Sequence, residues 1–218
     1  MQLMSKENAI IYFVKYPTPG KVKTRLAKTI GDQEAARLYK KLAEDNFSIL
    51  RQCRDVDVIV FFESLSDHVK VHQWLLKADG YRPQVGADLG ERLTHAFTWA
   101  FDSGYQRVVA YGSDTLELTT TIVEQSFSAF KSTDVVIGPA KDGGYYLIGS
   151  SSNQPKLFQG INWSTAEVLS QTQEIIHQLK LTYQSLCPLE DLDEVKQLAC
   201  RQGGTYEFIS SQSKERRS

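Results

Sequence analysis

The stretch Ala9-Ile10-Ile11-Tyr12-Phe13-Val14-Lys15-Tyr16-Pro17-Thr18-Pro19-Gly20-Lys21-Val22-Lys23-Thr24-Arg25-Leu26 joins an unbroken apolar run to a loop that carries four cations. Six consecutive apolar residues, rich in β-branched and aromatic types, read as a strand buried on both faces. The Pro/Gly-shaped loop leaves the carboxyl end of that strand, where open α/β sheets bind their ligands. Cations there suit a polyanion, most economically the phosphates of a nucleotide. Lys15, Gly20, Lys23, Thr24 and Arg25 are the candidate contacts. Gly20 permits close backbone approach, which makes Lys23 and Arg25 better candidates than Lys21.

Outward from this stretch, strand and helix patterns alternate. Helical spacing of Ala35, Leu38, Tyr39, Leu42, Phe47 and Leu50 predicts a helix over 32–53. A β-branched and aromatic strand follows over 56–62, and a short helix over 69–77. Asp88 and Glu91 have capping-box spacing at the start of a helix that runs to about Phe101. A strand at 107–112, a helix at 120–130 and strands at 134–138 and 145–149 come next. A helix at 164–179, a short strand at 181–185 and a last helix at 192–200 complete the pattern. Such alternation implies βαβ crossovers and a mostly parallel, Rossmann-like sheet. The expected architecture is one α/β domain over 1–205, followed by a polar, disordered tail over 206–218.

Bulk properties exclude several classes. With 218 residues, 41% of them hydrophobic, the chain can bury one full core. The net charge of −1 gives no global field for nucleic acid or membranes. Three widely spaced cysteines, Cys53, Cys187 and Cys200, fit a reducing compartment rather than a disulfide framework or a zinc site. With no signal-like segment and no membrane span, a cytoplasmic protein is expected. His68 and His72 are four residues apart on a helix but have no third ligand nearby, so they read as exposed histidines.

Two further loops leave strands of the same set. Gly112-Ser113-Asp114-Thr115 follows one, and Gly138-Pro139-Ala140-Lys141-Asp142-Gly143-Gly144 follows another. If those strands are parallel neighbours, one cationic and two carboxylate loops meet at one sheet edge. An Asp after a strand is commonly a turn former or cap, and Asp-Gly-Gly a hairpin turn; their co-location is what points to function. Mg²⁺ typically takes one or two carboxylates plus substrate phosphate oxygens. Trp163, before Ser164-Thr165, reads equally as a wall of an acceptor pocket or as a helix-entry aromatic.

Together these motifs carry a resemblance. Lys15-x-Pro17-x-Pro19-Gly20-x-Val22-Lys23-Thr24-Arg25-Leu26, Asp88-Leu89-Gly90-Glu91-Arg92, Gly112-Ser113-Asp114 and the run from Gly138-Pro139 through Asp142-Gly143-Gly144 to Gly149 occur in this order. The set resembles a bacterial family of glycosyltransferase-A-like transferases, some of which accompany radical-SAM selenodomain proteins. The molybdenum-cofactor and 2-phospholactate guanylyltransferases share its fold. The resemblance implies a single-domain, three-layer α/β/α sandwich of the nucleotide-diphospho-sugar transferase (GT-A-like) type. It implies a Mg²⁺- or Mn²⁺-dependent transferase that takes a nucleotide or nucleotide-sugar and a small-molecule acceptor.

By the same resemblance, Lys23 and Arg25 bind phosphate and Asp114 binds the metal. Asp193, in the late element Asp191-Leu192-Asp193, supplies a second ligand. Gln84, Gly86 and Asp88 approach the base, and Asp142, Gly143, Gly144 and Tyr145 face the acceptor. Two departures stand out: Leu116 replaces a usual proline after the metal Asp, and Glu194-Val195 replace Thr-Pro after the late element. Glycosyl transfer is the leading reaction. Nucleotidyl transfer with pyrophosphate release, and a non-catalytic nucleotide-binding module, are the alternatives.

Overall fold

The computed structural model describes residues 7–193. Its strands are β1 (Asn8–Val14), β2 (Val56–Phe62), β3 (Gly80–Pro83), β4 (Arg107–Tyr111), β5 (Val135–Pro139), β6 (Tyr145–Ser150) and β7 (Tyr183–Ser185). Its α-helices are α1 (Thr24–Ile30), α2 (Asp32–Leu50), α3 (His68–Trp74), α4 (Leu89–Asp102), α5 (Thr120–Ala129) and α6 (Val168–Gln178). The strands form one sheet in the order β3-β2-β1-β4-β6-β5-β7. β6 pairs antiparallel with both β4 and β5, while every other pairing is parallel.

Two-residue periodicity divides the core. Ile10, Tyr12 and Val14 of β1 face α2, α3 and α5 with Val58, Val60, Phe47, Val71 and Val123. Ile11 faces the opposite side with Ile59, Leu93, Phe97, Ile148 and Ile176, under α4 and α6. Because both faces are covered, the strands are apolar without a break, as the β1 sequence implies. The result is the expected three-layer α/β/α sandwich with a mostly parallel sheet.

Two elements depart from expectation. The segment 24–30 continues the loop in the sequence reading but is the helix α1, whose Leu26 and Ala27 pack with Leu38 and Leu42 of α2 and with Leu116 and Leu192. The strand β3 is too short and too polar to announce itself. β4 and β5 are also not neighbours, since β6 lies between them. They still run the same way, so the loops after β1, β4 and β5 open onto one edge. The predicted helix at 192–200 and the tail extend beyond the described residues.

Candidate functional site

The site is built where the carboxyl ends of β1, β4 and β5 meet. After β1 the chain makes tight turns, with Lys21 N donating to Thr18 O, and Gly20 adopts φ +79°. It then enters α1 through Lys23, itself left-handed at φ 48°. A side chain in that conformation costs about 1–2 kcal/mol, and Lys23 is held there by its partners. Its Nζ donates to Asp114 Oδ2 at 2.6 Å and to Asp193 Oδ1 at 3.0 Å. The Lys23 side chain is only 7% exposed, while Asp114 and Asp193 are 37% and 39% exposed. Burial works against the ammonium, yet the two carboxylates hold it protonated, above the ordinary lysine range.

The late segment reaches this point by lying across two strand ends. Leu189 N donates to Pro139 O, Lys141 N to Leu189 O, and Leu192 N to Asp114 O. Leu116 N donates to Glu190 O at 2.7 Å. A proline at 116, usual in the resembling family, could not make that bond. Leu116 also fills the apolar cluster under α1 and α2. The departure from proline thus fastens the segment that carries Asp191 and Asp193.

Asp191 sits largely buried opposite Thr115. Its pKa is raised from 3.8 to about 7, chiefly by burial and then by the Asp114 carboxylate; Thr115 and Lys23 offset this only in part, and Asp142 adds to it. Neither Asp191 Oδ1 nor Thr115 Oγ1 reaches a hydrogen-bonding partner among the described residues. From the other side, α2 bolts the Asp114 loop in place. The Tyr39 hydroxyl lies 2.8 Å from Ser113 Oγ and accepts from Lys15 N, and Asn46 Nδ2 donates to Thr115 O.

The remaining sequence candidates divide into three places. Arg25 lies at the rim, 79% exposed and 3.9 Å from Asp193. Lys15 pairs with Glu63 on the outer side, and Thr24 opens α1. Asp142 is exposed on its hairpin, where Oδ1 accepts from Gly144 N. Gly143, at φ +93°, presses against Ala166, and its carbonyl accepts from Leu169 N of α6. Gln84 Nε2 donates to Val14 O and Phe61 O, clamping the ends of β1 and β2. Gly86, at φ +140°, leaves no room for a Cβ beside Glu91. Asp88 caps α4, with Oδ1 accepting from Glu91 N.

Tyr145 and Trp163 stand apart from the Asp114 cluster. They meet edge-on, centroids 6.3 Å apart, on the α4/α6 side of the sheet. The Tyr145 hydroxyl is buried without a partner in hydrogen-bonding geometry, while the residue as a whole is half-buried and packs against the core on that side. His68 and His72 are exposed and stack with Phe62 and Tyr81.

Sequence reading named Ser113, Thr115 and Asp191 within the motifs of Asp114 and Asp193 without giving them a role of their own, and it missed Tyr39 and Asn46 as parts of this assembly. Both left a signal: Asn46 is an amide among the apolar positions of α2, and a buried Tyr needs a partner for its hydroxyl. Among the described residues, no three His, Cys, Asp or Glu side chains converge as a ready metal cage. The donor set nevertheless suits a hard divalent cation. Asp114 and Asp193 each turn an oxygen to the Lys23 ammonium, which occupies the point between them, and a buried carboxylate oxygen of Asp191 beside them is unsatisfied. Such a set fits Mg²⁺ or Mn²⁺ completed by substrate phosphates. No helix of the described residues is long and apolar enough to cross a membrane.

The sheet order, the single antiparallel strand and the ligand edge define the class by fold: that of the nucleotide-diphospho-sugar transferases. The chain belongs to the family described as uncharacterised protein conserved in bacteria (DUF2064), whose model matches residues 47–165. A protein of Desulfovibrio desulfuricans G20, provisionally described as a nucleotide-diphospho-sugar transferase, is 37% identical. That match covers 93% of this chain and 90% of that one, with a TM-score of 0.86. More distant structures share the fold. The 4-diphosphocytidyl-2C-methyl-D-erythritol synthase of Anaerococcus prevotii is 9% identical over 98% of this chain and 99% of that one, TM-score 0.55. The glucosyl-3-phosphoglycerate synthase of Mycobacterium tuberculosis, in complex with Mn²⁺, UDP and glucosyl-3-phosphoglycerate, is 11% identical over 85% and 71%, TM-score 0.54. No curated protein matches the sequence.

Proposed function

We propose that this protein is a transferase acting on a nucleotide-activated donor, with glycosyl transfer from a nucleotide-diphospho-sugar as the reaction and Mg²⁺ or Mn²⁺ as cofactor. The observation that carries the reading is the buried Lys23 ammonium held between Asp114 and Asp193 at the carboxyl edge of the sheet. An ammonium so placed neutralises carboxylates when no phosphate is near, and can exchange them for a diphosphate when one arrives. Arg25 at the rim supplies a second cation for the same anion. Asp114 and Asp193 would hold the divalent cation, which supplies charge stabilisation for the departing phosphate oxygens. The Tyr39–Ser113 and Asn46–Thr115 bonds keep the Asp114 loop in one conformation. Asp142, exposed on its Gly-rich hairpin, would accept the proton of the acceptor hydroxyl.

Nucleotidyl transfer is the second reading. It is favoured by the exposure of Lys15 and Arg25, since a triphosphate needs more counter-charge than a diphosphate. A thermal-shift series with nucleotide sugars and nucleoside triphosphates, with and without Mn²⁺, tests the proposal. Ligand at 100 times its Kd stabilises the native state by about 2.7 kcal/mol, and the expected shift depends on Mn²⁺ and is lost in Asp114→Asn. Pyrophosphate release from a triphosphate, abolished by Asp114→Ala, would replace glycosyl with nucleotidyl transfer. Nucleotide binding indifferent to both metal and Asp114→Asn would identify a non-catalytic binding module.

A further inference from the structure

A cavity of about 500 Å³ opens between the first turn of α4 and the segment 158–163. Asp88, Glu91, Thr94, His95, Gln159 and Trp163 supply its polar and aromatic wall, and no lysine or arginine of the described residues lines it. The cavity lies at the carboxyl edge of the sheet, because α4 begins where the chain leaves β3. Its Trp163 wall packs on Tyr145, directly after Asp142-Gly143-Gly144. The volume is within the range of small-ligand sites.

The wall is shaped by specific contacts. A Cβ at Gly90 would stand 2.5 Å from Trp163 Nε1 and 2.6 Å from Phe158 O, so only glycine lets the 158–163 segment close on α4. Glu91 N occupies Asp88 Oδ1, and Ala87 N occupies Glu91 Oε2. Each carboxylate therefore keeps one oxygen free of these bonds. His95 Nδ1 is 2.7 Å from Val85 O; a carbonyl only accepts, so a proton sits on Nδ1, and in the neutral ring Nε2 presents a lone pair. The Trp163 indole N–H donates to no described residue, and Thr94 and Gln159 add a hydroxyl and an amide.

Resting on the proposed transferase reading, we infer that this cavity is the subsite for an uncharged, hydroxyl-rich ring, the sugar side of the reaction. Carboxylate oxygens and the imidazole lone pair accept from ring hydroxyls, while the indole offers an apolar face to ring C–H groups and an N–H to a ring oxygen. A phosphate here would face two carboxylates with no cation in the wall, a like-charge arrangement that rejects it. The subsite therefore selects against phosphorylated acceptors, which weighs toward glycosyl transfer over nucleotidyl transfer to a sugar phosphate.

Saturation-transfer NMR on the full chain tests this. The probes are methyl glucoside, mannoside and galactoside; UDP-glucose and GDP-mannose; UDP and GDP; and glucose 6-phosphate and 3-phosphoglycerate. Ring protons of a neutral sugar are expected to receive saturation, with at least a tenfold loss in affinity in Trp163→Ala and in the cavity-filling Thr94→Phe. Contact with the free glycosides identifies an acceptor subsite, and contact only in the nucleotide-linked sugars a donor subsite. Thr94→Lys, which adds a cation to the wall, is expected to admit glucose 6-phosphate. The inference is overturned if no sugar ring is contacted in either form, if the sugar phosphates bind the wild type as well as the neutral sugars, or if both cavity variants leave binding unchanged. Glycoside contact that survives Asp114→Asn while nucleotide binding does not respond to that change would refute the phosphate site and leave the sugar subsite standing.

Discussion

Asp191 gives the sharpest test of the electrostatics around the Lys23 cluster. Its carboxyl is raised from the ordinary 3.8 to about 7 because it is buried and faces Asp114, against which Lys23 and Thr115 compensate only partly. The native state therefore holds a proton that the unfolded chain releases once the pH passes about 4. Stability falls with pH wherever the native state binds more protons, so this group costs stability between about pH 4 and pH 7, and the cost is complete above that. The interval of about three pH units corresponds to about 4 kcal/mol. Asp191→Asn keeps the shape and removes the charge, so it is nearly neutral only below about pH 4, and it is expected to stabilise the protein by about 1–2 kcal/mol at pH 5 and about 4 kcal/mol at pH 8. Urea unfolding of both proteins at pH 5, 6, 7 and 8, with chelator and without nucleotide, measures the difference, in which the titrating groups that do not interact with Asp191 cancel. If the gap between variant and wild type does not widen with pH, the burial and the Asp191–Asp114 repulsion are not as described.

Other substitutions probe the same assembly. Lys23→Met leaves Asp114 and Asp193 without their ammonium; because both carboxylates keep partial hydration, the loss is about 2 kcal/mol rather than that of a fully buried pair, read by urea unfolding. The lysine is raised above its unfolded value, so its contribution is complete below about pH 10 and disappears only as the pH climbs through the native value. Tyr39→Phe removes the hydroxyl that joins Ser113 to the Lys15 backbone, with an expected loss of about 1–2 kcal/mol and a weaker thermal response to nucleotide. Gly143→Ala sets a methyl group 2.3 Å from Ala166 O at a left-handed φ and is expected to cost at least about 2 kcal/mol in the same unfolding assay.

The architecture was legible because its cause is local. Ile10 to Val14 is apolar at every position only because helices cover both sheet faces, and helical spacing over 32–50 follows from one face of α2 meeting the sheet. The loops after β1, β4 and β5 could likewise be placed at one edge from chain direction alone. The insertion of β6 between β4 and β5 could not, because a strand of residues 145–150 pairs equally well in either direction. That choice depends on the short hairpin at 140–144, which returns the chain antiparallel. It has a consequence for the site: Asp142 approaches from two strands away from β4 rather than from the next strand.

What stayed hidden is what depends on distant segments meeting. Lys23 read as a loop cation, and its sequence neighbours gave no sign that carboxylates 91 and 170 residues away would bury it. Asp191 and Asp193 carry the same charge two residues apart, yet one is largely buried against Thr115 and the other partly open beside Arg25. Pairing at Leu116 N and Leu192 N fixes that difference, so the segment's register, rather than its composition, separates the buried acid from the exposed one. A one-residue slip would turn each side chain to the opposite side. The Leu116 N–H, which the resembling family's proline would lack, is one of the bonds that holds the register and with it the positions of Asp191 and Asp193.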